Sequence, residues 1–436
     1  MNVARSALIA WMALGSLTAR ARSDDWPTLL GPTRTNVSTE TGIIAPWPKE
    51  GLRKLWECEL GGGYAPPVVA AGRLYHFGRF QDNARLTCLD AKTGRELWKF
   101  EYPTQYEDRY GYEPGPRACP VVDDERVYLH GVEGMLYCLK VVDGKELWHV
   151  DTKEKYHFQQ NFFGVGSVPV VDEGLLIVPV GGSNPGPRPS DFRNVKPNGT
   201  GFVAFDKLTG AVKFATGDEL ASYSSPIVAK LNGKKTALYF SRNALVGFDP
   251  QTGANLFRYP WRAKIEESVN ASNPVVIGDK IFLSECYGPG SLLLDLRDGS
   301  PREIWSDERK DRLDKSLLCH WNTPIPVNGF IYGCSGRHDN DAELRCIELA
   351  TGDVKWVKRK TFRCTLLLAD HHFICLSEYG VLSLLKVNPD KYEEVSKYEV
   401  PELAYPCWAP PVLSHGILYL RGRGKLVALE LIPGVK

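Results

Sequence analysis

A chain of 436 residues with 53 basic and 52 acidic side chains sits at a formal charge of +1, which excludes the basic footprint of a nucleic-acid binder. After residue 21 no stretch is apolar over the roughly 20 residues that a membrane-crossing helix needs. Hydrophobic residues make up 43%, and 41 glycines and 30 prolines punctuate short apolar runs, so the composition suits one large soluble body built of turns.

Residues 1–21 read as an export signal: Arg5 as a short basic start, an apolar run from Ala7 to Leu17, and Ala19-Arg20-Ala21 as a small-x-small cleavage site. Cleavage near Ala21 predicts an exported chain, periplasmic or secreted. No cysteine comes after the apolar run, so no lipid anchor is expected. Residues 22–53, including WPTLLGPTRTNVSTETGIIAPW, are rich in Pro, Gly, Ser and Thr. They predict an extended strap packed on the exterior of the main domain.

Residues 54–436 form a single domain because the sequence there repeats. LDAKTGRELW, ending at Trp98, returns as KVVDGKELW, FDKLTGAVKF, FDPQTGANLF, LDLRDGSPREIW and IELATGDVKW. In each copy two β-rich runs flank Thr-Gly or Asp-Gly, where glycine can take the positive φ of a tight hairpin. Upstream of the copies lie Pro-Val-Val-type starts near residues 66, 120, 169, 226, 274, 324 and 410, with a degenerate one near Thr365. Each unit therefore holds four short strands, and eight units predict an all-β, eight-bladed β-propeller of four-stranded antiparallel blades. KLWECEL at 54–60 is a tryptophan strand with no unit before it, and LVALEL at 426–431 ends a unit that lacks one. The N-terminal strand is thus expected to complete the last blade and close the ring. Trp56, Trp98, Trp148, Trp305 and Trp356 are read as structural, filling the space between neighbouring blades.

Within a blade the first-to-second and third-to-fourth turns share one face, and here they are short and uniform. The second-to-third loops and the returns to the next blade share the other, and several are long: 99–118, 151–167, 181–199, 306–322 and 335–343. Long loops on one face of a rigid ring are where binding residues gather. The binding-face candidates are Tyr106, Arg109, Tyr112, Arg117, Glu285, His320, Asn322, Arg337 and Trp408. Those just before a first strand, among them Arg117, Asn270, His320, Trp321, Asn322 and Trp408, should ring the axial channel. Exposure of Tyr106, Tyr110, Tyr112 and Trp408 together would make a stacking platform for a glycan. No catalytic motif with nucleophile or metal-ligand spacing is present, and no metal site is assigned. Glu285 and Asn270 are the oxygen donors that a Ca²⁺ ion would prefer. The eleven cysteines include no C-x-x-C, and Cys88, Cys138 and Cys346 fall at equivalent positions of different blades, which predicts buried thiols spread around the ring.

With the units of the LDAKTGRELW kind laid out across residues 54–431, the chain resembles the pyrroloquinoline quinone (PQQ)-like β-propeller family. The resemblance implies two alternatives. In quinoprotein dehydrogenases such blades hold PQQ and Ca²⁺ on the axis, and adjacent cysteines usually lie beneath the cofactor; this chain has no Cys-Cys pair. The barrel-assembly lipoproteins use the repeat as a non-catalytic scaffold, and this chain is similar in size and simplicity while lacking their anchor cysteine. The opening WPTLLGPTRTNVS resembles exported propellers of planctomycete-like bacteria. The function expected is an exported scaffold without a cofactor, binding an unknown protein, peptide or glycan on the long-loop face, with no nucleic-acid partner. The alternative is a PQQ- and calcium-dependent alcohol or sugar dehydrogenase.

Overall fold

A computed structural model describes residues 24–158, 162–184 and 195–434. The expected export signal, 1–21, lies outside them. Eight separate four-stranded antiparallel sheets account for the chain from residue 54 onward, giving the eight-bladed propeller that the repeats predict. Blades 1 to 7 span residues 68–103, 121–151, 170–216, 227–260, 275–306, 325–359 and 364–399. Blade 8 takes its first three strands from 412–430 and its outermost from Lys54–Glu59, which pairs antiparallel with Lys425–Glu430. The ring is closed as expected. Among the described residues no helix is long and apolar enough to cross a membrane.

Sequence chemistry sets the order of strands from axis to rim. The innermost strands are short, Val68–Ala70 and Val121–Asp123 for example, and most begin just after a proline. A proline has no N–H to lose, so it is tolerated at an inner edge where no fifth strand pairs. Second and third strands such as Leu175–Pro179 and Ala244–Phe248 are buried throughout, and the outermost strands alternate between half-buried and exposed.

The repeated turn and the repeated tryptophan are partners across blades. The Trp98 indole of blade 1 donates to the carbonyl of Val141 in the Asp-Gly turn of blade 2 at 3.0 Å. A Cβ on Gly144 of that turn would lie 2.5 Å from the Trp98 ring. Trp56 and Ala91, Trp148 and Lys207, Trp305 and Leu349, and Trp356 and Asn388 repeat the bond at 2.9 to 3.3 Å. Phe214 makes the ring contact alone, against Gly253. The outermost strand of blade 7, Glu394–Glu399, carries no tryptophan, and Trp47 of the strap packs edge-on against its Tyr398 instead. Cys88, Cys138 and Cys346 face Trp98, Trp148 and Trp356 across the third and fourth strands, one per blade, and no disulfide is formed by any of the eleven cysteines.

The strap departs from its expected exterior course. Only residues around Ile43–Leu52 lie on the outer flank, against blades 7 and 8. Residues 26–38 instead cross the axis at the short-turn face. There the strap satisfies backbone groups that the innermost strands leave open: Trp26 exchanges two hydrogen bonds with Val69, Val122 N–H donates to Pro27, and Ser38 and Asn36 pair with Leu368. Arg34 reaches across to the carbonyls of Pro169 and Pro226 in blades 3 and 4, at 3.2 Å each. A buried inner edge must find partners for its N–H and C=O groups, and the strap is the segment that supplies them. Leu30, Arg34 and Asn36 hold φ near +60 within this crossing, a conformation that the surrounding bonds enforce.

Gly144 and Gly72 have similar positive φ, +71 and +74, yet only Gly144 meets a neighbouring ring. Each alanine substitution should carry the backbone cost of about 1–2 kcal/mol. Gly144→Ala should cost a further 1–3 kcal/mol or so by displacing Trp98, read as the difference between the two variants in chemical denaturation.

Candidate functional site

Eight chain segments converge on the axis at the long-loop face, each turning down into a first strand. Between them lies a well of about 240 Å³, open to that face and floored by Leu29, Leu30 and Asn36 of the strap. Its wall is aromatic: Tyr64, Tyr112, Phe163, Tyr223, Trp321 and Trp408, with Arg117, Arg363 and His320 set among them. Trp408 is the hub, with ring centroids 4.8 Å from Tyr64, 5.3 Å from Trp321 and 5.8 Å from Tyr112.

Both arginines of the wall are already engaged. Arg363 makes a bidentate pair with Glu378 at 2.5 to 3.0 Å, and its guanidinium lies over Trp321 at 4.6 Å and Trp408 at 5.3 Å. Glu378, fully buried, also accepts the Trp408 indole N–H at 3.1 Å. One carboxylate therefore positions the cation and the ring it covers. Arg117 pairs with Asp108 at 2.6 Å and lies over Tyr64 and Phe163. Asp108 accepts the N–H groups of Tyr110 and Tyr112 as well, which fixes the loop presenting those two rings.

His320 shares a 3.1 Å hydrogen bond with the Tyr287 hydroxyl, and Arg337 covers the Tyr287 ring at 4.5 Å. Burial, with Arg363 and Arg337 nearby, pushes the His320 imidazole down to about 3, so it is neutral at ordinary pH and a weak base. Four buried polar atoms around the well have no hydrogen-bond partner among the described residues: His320 Nδ1, Trp321 Nε1, Asn36 Oδ1 and Thr365 Oγ1.

The sequence-predicted candidates divide. Tyr112, Arg117, His320, Asn322 and Trp408 line the well together. Asn322 spends its amide on the Cys334 carbonyl, so it shapes the wall. Arg337 stands one layer behind. Arg109 is exposed on its loop and does not line the well. Tyr106 is buried under that loop, which removes it from the expected exposed platform, whereas Tyr110 and Tyr112 remain 49% and 45% exposed. Glu285 is buried with its carboxylate accepting N–H groups from Tyr287, Gly288 and Gly290, a loop staple that does not reach the axis. Asn270 gives its amide to Ser241 and Trp261 carbonyls. Of the two oxygen donors expected for Ca²⁺, the Glu285 carboxylate is committed to backbone N–H groups while the buried Asn270 Oδ1 has no hydrogen-bond partner among the described residues, which hold no cluster of His, Cys, Asp or Glu with metal-binding geometry. Arg363, Tyr223 and Thr365 belong to the well and were not singled out from sequence. Tyr223 lies four residues before its first strand, as Arg117 does, while Arg363 and Thr365 flank the start of the strand Cys364–Ala369.

Tryptophan-on-turn blades closed by an N-terminal strand around an axial well define a β-propeller of the PQQ-like repeat class. The chain belongs to the family described as outer membrane protein assembly factor BamB, whose pattern matches residues 42–184 and 155–358. Quinohemoprotein alcohol dehydrogenase of Comamonas testosteroni is 29% identical over 177 residues, 38% of this chain and 23% of that protein. Quinohemoprotein alcohol dehydrogenase ADH-IIG of Pseudomonas putida is 27% identical over 145 residues, 32% of this chain and 19% of that protein. The matched stretches span less than a quarter of those relatives. The crystal structure of BamB from Moraxella catarrhalis is similar with a TM-score of 0.58 at 14% identity, covering 88% of this chain and 98% of that one. The Comamonas testosteroni dehydrogenase structure gives 0.66 at 13% identity, covering 95% and 82%. At these identities the likeness shows the fold.

The buried ion pair and the buried histidine can each be tested by stability. Glu378→Gln should destabilise the protein by about 3 kcal/mol by stranding the Arg363 charge, and Arg363→Met with Glu378→Leu should recover most of it in urea unfolding. The unfolded chain binds a proton on His320 below its ordinary value of 6.5, and the folded protein does so only near 3. Acid therefore favours the unfolded chain between those values. The stability gap between wild type and His320→Gln should narrow as pH falls from about 7 to about 4.5.

Proposed function

We propose that this chain is an exported, non-catalytic binding propeller that holds its partner at the long-loop face, in and around the axial well. The observation that carries this reading is the state of the well's chemistry. Both arginines are paired, the histidine is kept neutral as a weak base, and among the described residues no carboxylate is left facing the cavity as a general base, while aromatic surface is left open. A group must reach a reacting atom with a suitable proton affinity to act in acid–base catalysis, and these do not. Membership of a family named for an outer membrane assembly factor supports a binding role.

The second reading, a quinone-dependent alcohol dehydrogenase, is favoured by the names of the curated relatives. It fits the residues poorly. The Glu285 carboxylate is tied to backbone N–H groups, and the carboxylates nearest the well neutralise arginines.

Titration with PQQ, with and without Ca²⁺, should produce no saturable, calcium-dependent rise in melting temperature, because a ligand specific for the folded state must produce one. Such a rise would favour the dehydrogenase. A photo-crosslinking residue at Tyr110, on the long-loop face, should capture the partner from cell-envelope extract, and one at Leu208, exposed in a Thr-Gly turn, should not. Equal capture from Leu208 would overturn the binding-face reading.

A further inference from the structure

Cys88, Cys138 and Cys346 stand one to a blade, but three other thiols meet where blades 6 and 7 join. Cys334 lies in the second strand of blade 6, Phe330–Ser335. Cys364 opens the first strand of blade 7, Cys364–Ala369, and Cys375 lies in its second, His372–Ser377. All three are buried in one apolar cluster. The Cys334 sulfur accepts the Cys364 N–H at 3.4 Å and donates to the Phe362 carbonyl at 3.7 Å, so it sits against the backbone from which the Cys364 side chain departs. The Cys364 thiol is within hydrogen-bonding reach of both other thiols. Apolar packing accounts for a single buried cysteine. It does not account for three sulfurs gathered at one junction.

Strand geometry selects one pair of the three. In blade 7 Cys364 faces Ser377 and Cys375 faces Leu366, so Cys364 and Cys375 are diagonal neighbours. Diagonal neighbours of an antiparallel pair stand roughly 7–8 Å apart, beyond the usual Cα span of a disulfide. Cys334 comes from another sheet and is not held to that spacing. Blade 7 is also where the repeat supplies least. The turn between its strands Val381–Lys386 and Glu394–Glu399 contains no glycine for Trp356 to lie on, and its outer strand has no tryptophan to offer blade 8.

We propose that Cys334 and Cys364 form a disulfide as the chain folds, stapling blade 6 to blade 7 behind the well. One S–S bond replaces two S–H bonds, and the two protons and two electrons pass to an external disulfide, which leaves as two thiols. An oxidising export compartment supplies such disulfides. Formation in the cell therefore rests on the exported reading above, whereas the choice of partners does not. Cys334 and Cys375, with burial, hold the Cys364 thiol well above its ordinary value, so it is scarcely ionised once enclosed and the bond is made during folding. The staple joins two segments of the wall. Arg363 and Thr365 flank Cys364, and the Cys334 carbonyl holds the Asn322 amide at 3.0 Å.

The test refolds the reduced, urea-denatured full chain in a mixture of reduced and oxidised glutathione and maps its peptides by mass spectrometry without reductant. A peptide pair linked through Cys334 and Cys364 is expected, with two fewer titratable thiols than the eleven of the reduced chain. The melting temperature should exceed that of chain refolded in reductant by roughly 3–6 °C. Cys375→Ala should keep the link and the shift, whereas Cys334→Ala and Cys364→Ala should each lose both. Eleven free thiols in the refolded protein overturn the assignment, and so does a link from Cys364 to Cys375 or from Cys334 to Cys319. Chain taken from cells with its thiols blocked at lysis should carry the same link. Its absence there, with the link present after refolding, counts against the exported reading and not against the pairing.

Discussion

The structure depends on one contact made between neighbours: an indole laid on a turn glycine, with its N–H on a carbonyl of the same turn. At five junctions one blade supplies the ring from its outer strand and the next the glycine of its hairpin: Trp56 on Gly94, Trp98 on Gly144, Trp148 on Gly210, Phe214 on Gly253 and Trp305 on Gly352. Glycine is required twice over at positions such as Gly144, for the positive φ and for the room beneath Trp98. The contact fixes both the spacing and the tilt of adjacent sheets. With those set, eight blades close, and the axial dimensions that make the well result from the closure. Where the repeat lacks its tryptophan, at blade 7, the strap's Trp47 stands against Tyr398.

Completing the last blade from the other terminus closes the ring, yet each blade remains a separate four-stranded sheet whose innermost strand presents an unpaired edge to the axis. This ring resolves that in two ways. At the short-turn face the strap lends its own backbone to blades 1, 2 and 7 and the Arg34 guanidinium to blades 3 and 4. Towards the long-loop face Ser167, Ser222, Ser225 and Asn273 sew the segments before the first strands to one another. The well is the space that neither device fills. Its floor is a by-product of a structural need, and its walls are what the loops bring.

The blades, their number and the closure were legible because each rests on a local signal, a turn dipeptide or a tryptophan, repeated often enough to be counted. The face carrying the site was legible from loop lengths, and Arg117, His320 and Trp408 from their register before a first strand. Arg363 immediately precedes the degenerate seventh start, where no Pro-Val-Val marks the position. Glu285 reads as a ligand in sequence because its staple partners, Tyr287, Gly288 and Gly290, are backbone groups, which every residue has. The path of the strap was hidden for the same reason. Its bonds to the inner strands are main-chain bonds, and only the folded ring shows that those strands lack partners.

The strap has a consequence for orientation. Asp24 accepts a bond from Ser414 beside the blade 8 turn, and near the other end Ile432 N–H reaches Gly416 in that same turn. Both ends of the described chain therefore leave from the face opposite the well. A carrier, label or surface coupled to either end would leave the aromatic mouth pointing outward and unobstructed.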